Sequence, residues 1–150
     1  MNRLDSSRQV IQDHQLANTR KPNTKNLLSF GTWNVRTLNE LGKLENVIRE
    51  MDRMKISLMG LSEVRWIGTG SKDLKYHKFI CSEGSHHKRG VGVVLQKKIA
   101  KHLKGFWGIS DRVLLIKLRG KPADINIIQV YAPTAESKEA EVNTFYNNIN

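Results

Sequence analysis

A chain of 150 residues, 39% apolar and 26% charged, has the composition of one globular domain long enough to bury a core. Its net charge of +11 favours a polyanionic partner such as nucleic acid. A lone cysteine, Cys81, excludes an internal disulfide framework and a cysteine-based zinc finger, and no apolar run has the length of a membrane span or of a signal-peptide core. The expectation is a soluble chain of a reducing, intracellular compartment.

Residues 1–26 mix scattered apolar positions with many polar ones and read as a flexible basic leader. Order is expected from Leu27, where "LLSFGTWNV" has the look of a strand. Over residues 39–54, Leu41, Leu44, Val47, Ile48, Met51 and Met54 share one helical face, with Lys43, Glu45, Arg49, Glu50 and Arg53 largely opposite. The apolar run "ISLMGLSEV" comes next, so strand, helix and strand suggest a βαβ unit with a parallel pair. "YHKFICSE", "GVGVVLQKK" and "RVLLIKLRG" read as further strands between basic or glycine-rich turns, with antiparallel pairing expected. Pro133 stops another strand, "ADINIIQVYAP", and "TAESKEAEVNTFYNNI" reads as a helix. Thr134 or Ser137 would cap it, with Val142, Phe145 and Ile149 on one face. The alternation predicts an α/β sandwich.

Three of these strands end in a polar group: Asn34, Glu63 and Tyr131. Ligands of α/β sheets bind outside the carboxyl ends of strands. Neighbouring strands of one orientation would bring an amide, a carboxylate and a phenol to one rim. A carboxylate beside an amide oxygen is a hard-oxygen site of the kind Mg²⁺ accepts, and a phenol can donate to a phosphate oxygen. Taken singly, each has a plainer account: a glutamate at a strand end is more often a solvated charge, an asparagine a turn former, and a tyrosine half-buried core.

"TWNVRTL", "MGLSEVRW", "GVGVVL" and "IIQVYAPT", in that order, resemble the endonuclease/exonuclease/phosphatase superfamily, and within it the branch of non-LTR (LINE-type) retrotransposon endonucleases and craniofacial development protein 2-like sequences. The resemblance covers residues 27–150. It implies a four-layer α/β sandwich of two packed mixed sheets with outer helices, and cleavage of phosphate esters with Mg²⁺ or Mn²⁺. It further implies that Glu63 is a metal ligand, that Asn34 serves the metal and phosphate, and that Tyr131 is directed at the scissile phosphate. DNA is the implied partner and the nucleus the favoured location.

Residues 85–121 hold ten Lys or Arg and one acid, Asp111, a segment suited to phosphate contact. Arg36, Arg65, Lys88 and Arg89 are the candidate nucleic-acid contacts. Trp66 is a contact or a core residue, and the pair His86 and His87 suggests metal only faintly. The superfamily's later Gly-Asp-x-Asn and Ser-Asp-His motifs are absent, and all five histidines precede Tyr131. The resemblance therefore implies the N-terminal half of a domain, inactive or nearly so alone, with "GVGVVL" and "INIIQV" left exposed for lack of the second sheet. Two other readings stand beside the endonuclease: a non-catalytic remnant that binds nucleic acid or protein, and a phosphatase acting on small or lipid phosphates.

Overall fold

The computed structural model describes residues 27–66, 68–82 and 89–150. The predicted leader, Lys88, His86 and His87 lie outside these residues. Eight strands and three helices run in the order β1 (Phe30–Asn34), α1 (Lys43–Arg53), β2 (Leu58–Ser62), β3 (Gly70–Asp73), β4 (His77–Cys81), β5 (Val91–Gln96), α2 (Lys97–Ala100), β6 (Leu103–Ser110), β7 (Val113–Leu118), β8 (Ile125–Val130) and α3 (Glu139–Ile149). They form a five-stranded sheet ordered β1-β2-β5-β4-β3 and a three-stranded sheet ordered β6-β7-β8.

β1 and β2 pair in parallel, as the strand-helix-strand pattern predicts, with Asn34 opposite Ser62. All other pairs are antiparallel. The two-residue alternation of the strands then divides the core. Met59 and Leu61 of β2, Phe79 and Cys81 of β4 and Val94 of β5 face α1, where Leu44, Val47 and Met51 meet them. Leu58, Ile80, Val91, Val93 and Leu95 face the other way and pack on Leu114, Ile116 and Leu118 of β7. This is an α/β sandwich, with a mixed sheet between a helix and a second sheet. Gly60 lies where β8 crosses β2: a Cβ there would collide with the Gln129 amide, so glycine permits the close approach of the sheets beside the strand ends.

Four details differ from the sequence reading. The first helix begins at Lys43 behind Gly42, which takes a left-handed φ of 83°, so Leu41 precedes the helix and is fully exposed rather than on its apolar face; Met54, at the other end, is also exposed. No side chain caps α3; Thr134 and Ser137 instead close a turn ahead of it, the Ser137 N–H donating to the Thr134 carbonyl at 3.0 Å. On that helix Phe145 is buried and Ile149 exposed. "GVGVVL" is wholly buried, because β6–β8 already cover the inner face of the first sheet. Exposed apolar groups lie on edge strands of both sheets: Phe30 and Trp33 on β1, Trp107 and Ile109 on β6, and Ile125, Ile128 and Val130 on β8, so "INIIQV" is the exposed run of the two. No helix among the described residues is long and apolar enough to cross a membrane.

Candidate active site

The carboxyl ends of β1, β2 and β8 converge, and the segments that leave β1 and β2 turn sharply. Arg36, Glu63 and Arg65 all have φ near 58°, three of the four non-glycine residues with positive φ among the described residues. Each such conformation costs about 1 kcal/mol for a side-chain-bearing residue, and clusters of this strain belong to functional sites. The loops are stitched to one another: Val35 N–H donates to Ser62 at 3.1 Å, Leu38 N–H to Val64 at 2.9 Å and Arg65 N–H to Arg89 at 2.7 Å. Trp66 locks them from beneath. Its indole donates to the Leu38 carbonyl at 3.1 Å, and its ring meets Phe79 edge-on at 4.9 Å, so it is a core residue here.

Glu63 is the centre of the site. Its Oε1 accepts from the Asn34 amide at 2.8 Å and from the Tyr131 hydroxyl at 3.0 Å, while Oε2 accepts from Arg65 at 3.1 Å. The structure thus joins the three residues singled out at strand ends, although Tyr131 is 68 positions beyond Glu63. Asn34 Oδ1 accepts the Arg36 backbone N–H at 3.0 Å. That turn fixes the amide, aiming its NH₂ at Glu63 and its oxygen at the loop. The Asn34 hydrogen bond, chiefly, with those of Tyr131 and Arg65, holds the Glu63 carboxyl below the usual carboxylate range against the opposing effect of burial. Burial first, and Glu63 next, push the Tyr131 phenol above its ordinary value, so it stays a donor at neutral pH.

Two residues behind the site were not singled out from sequence. Arg112, buried at the start of β7, donates to the Tyr131 carbonyl at 2.9 Å and the Ala132 carbonyl at 3.3 Å, and its guanidinium carbon lies 5.0 Å from the Tyr131 ring centre. Glu141 of α3 accepts from Arg112 and also pairs with Arg89. The sequence signal was slight: an arginine directly ahead of an apolar run. Of the proposed nucleic-acid contacts, Arg36 is exposed beside the site, Arg65 is on Glu63, and Arg89 is held by Asp111 and Glu141.

As a metal site the donors fit a sparse arrangement. Mg²⁺ is commonly held by one or two carboxylates with waters and substrate phosphates, and Glu63 offers one ionised carboxylate. Both Glu63 oxygens accept hydrogen bonds, Oε1 from Asn34 and Tyr131 and Oε2 from Arg65; Glu63 would hold the cation, and Asn34, whose NH₂ faces Glu63, would serve by orienting the carboxylate rather than as the metal ligand the resemblance implies. Among the described residues no three His, Cys, Asp or Glu side chains gather as a richer metal cluster.

No protein-family profile matches the chain. Its fold is similar to that of the AP endonuclease LMAP from Leishmania major, with a TM-score of 0.62 and 15% identity over 87% of this chain and 50% of that one. The chain has the α/β-sandwich fold of the endonuclease/exonuclease/phosphatase superfamily. It is also a homologue of craniofacial development protein 2: 121 residues, 80% of the chain, are 38% identical to the proteins of that name from Bos taurus and Tragulus javanicus. The matched stretch spans only 20% and 21% of the length of those relatives.

Proposed function

We propose that this chain carries the metal- and phosphate-holding part of a Mg²⁺-dependent DNA endonuclease of the retrotransposon type, acting on nuclear DNA, with Mn²⁺ able to replace Mg²⁺. The observation that carries this reading is the Glu63 carboxylate, kept ionised by an amide and a phenol brought from two other strand ends. A polar trio assembled from three strands, at the cost of left-handed backbone in the adjoining loops, is not what a solvated surface charge requires.

In this reading Glu63 holds the divalent cation, and Asn34 keeps its carboxylate oriented. A bound cation supplies Lewis-acid polarisation of the phosphate and neutralises charge on the leaving oxygen. Tyr131, a protonated phenol, donates to a phosphate oxygen as negative charge builds there. Arg65, held on Glu63 Oε2 at 3.1 Å, would add positive charge beside the phosphate. Activation of the attacking water needs a base, and among the described residues Glu63 is the one acid hydrogen-bonded to the side chains of Asn34, Tyr131 and Arg65.

Mg²⁺ should strengthen binding of a short DNA duplex to the chain and have no such effect on Glu63→Gln. An equal response to Mg²⁺ in both proteins would remove this reading. Nicking of supercoiled plasmid by the chain should stay at background for want of a base.

A second reading, non-catalytic nucleic-acid binding, draws on one observation: the absence of a metal cluster of three or more ligands among the described residues. In that case the Glu63 trio is a structural clasp and Mg²⁺ leaves duplex affinity unchanged.

A further inference from the structure

Of the basic segment of residues 85–121, Arg89 and Arg112 border the Glu63 site, whereas the residues that follow β5 and β7 lie elsewhere. β5 runs antiparallel to β2, so its Leu95 end lies beside Leu58, at the far end of the strand from Glu63. β7 runs antiparallel to β8 in the same way, which puts Leu118 beside Ile125 and far from Tyr131. The turns leaving Leu95 and Leu118 therefore sit at the opposite pole of the sandwich. Strands of five and six residues separate the two poles by roughly 17–20 Å.

Backbone hydrogen bonds join three turns into one surface at that pole. The Lys97 N–H donates to the Tyr76 carbonyl at 2.8 Å, and the Arg119 N–H donates to His102 at 2.7 Å. Lys75, Lys97, Lys98, Lys101, Arg119 and Lys121 are all exposed there, and none of the six makes an ion pair among the described residues. Of the nearby acids, Asp73 pairs with Lys78 and Asp124 with Lys104, while Asp52 is hydrogen-bonded to the His77 ring at 3.0 Å. Tyr76 stands exposed among them, with the Lys75 ammonium 5.0 Å from its ring centre.

We infer that this pole is a second nucleic-acid site, one that grips the phosphate backbone of a segment other than the one presented to Glu63. Lysine-dominated surfaces suit phosphate tracking, since lysine is depleted from packed protein interfaces and its solvated ammonium tracks a backbone without fixed geometry. An exposed tyrosine beside the lysines adds a face for an unpaired base. The pole would tether the chain to a strand while a separate stretch engages the catalytic end. The choice of nucleic acid as partner rests on the phosphodiester reading of Glu63; the existence of the polyanion site does not.

The test is equilibrium binding of a fluorescent DNA duplex to the full chain in EDTA, which silences any metal at Glu63, across a salt series. Replacing Lys97, Lys98 and Lys101 together by Glu should weaken binding about tenfold or more, and lower the salt slope by about 2.7, three phosphate contacts at 0.9 each. The matching Gln triple should lose affinity in the same direction while keeping the wild-type circular dichroism, which guards against a folding artefact. Unchanged affinity in both triples would overturn the inference. So would binding to phosphatidylserine vesicles in preference to the duplex. Because no metal is present, failure of this test is separate from a failed Mg²⁺ response at Glu63.

Discussion

Replacing Asn34 by Ala removes the largest influence on the Glu63 carboxyl while leaving Tyr131 and Arg65 in place. Hydrogen bonds to charged groups contribute about 1.5–3 kcal/mol when well shielded, and those between neutral groups about 0.5–1.5 kcal/mol. Asn34 lies at an open rim, so about 1 kcal/mol is expected at neutral pH. The sign comes from linkage. Glu63 has a folded pKa below its unfolded one, so its contribution to stability is fully present above the unfolded value and is lost as pH falls through the folded value. The cost of Asn34→Ala should accordingly be greatest near neutral pH and shrink to about half or less once the carboxyl is protonated. Urea unfolding of both proteins over that range measures this difference, and side-chain NMR titration should show the Glu63 pKa rising in the variant. A cost that is independent of pH, or an unmoved Glu63 titration, would refute the claim that the amide serves the ionised carboxylate.

Arg112→Met should cost about 2–3 kcal/mol in urea unfolding, because it orphans the Tyr131 and Ala132 carbonyls and takes from Glu141 one of its two arginines. It should also shift the Tyr131 phenol titration, tracked by ultraviolet absorbance, further upward, since the guanidinium favours the phenolate. An unchanged phenol titration would mean that Arg112 does not govern Tyr131. Leu41→Ser should leave stability within about 0.5 kcal/mol, as expected of a fully exposed residue ahead of its helix. A loss of about 2 kcal/mol, the value for a buried leucine, would restore Leu41 to the helical face.

How far the sequence could be read depends on the strength of each local pattern. Apolar runs bounded by turns marked the buried strands β2, β4, β5 and β7, and also β1 and β8, which are apolar in sequence although largely exposed. β3, "GSKD", is a polar edge strand with no apolar signal, and β6, "LKGFWGIS", has its alternation broken by Gly105 and Gly108 with two shifts of register. The helical spacing from Leu41 onward was real, yet Gly42 in a left-handed conformation set a later start. At the site, polar residues ending apolar strands pointed to Asn34, Glu63 and Tyr131. Which strands lie side by side is a long-range property, as is the clasp of Arg112 on Tyr131 and Glu141. The basic segment shows the same limit: its charge was plain, whereas the division that leaves Arg89 and Arg112 beside the site and puts Lys97, Lys98, Lys101 and Arg119 at the other pole depended on strand direction.

The most direct test of the central claim is paramagnetic relaxation of backbone amides by Mn²⁺, in the full chain and in Glu63→Gln. A cation held by Glu63 should broaden amides centred on Asn34, Glu63 and Tyr131, an effect reversed by excess Mg²⁺ and absent from the variant. Broadening that is centred elsewhere, or that persists in Glu63→Gln, would contradict it.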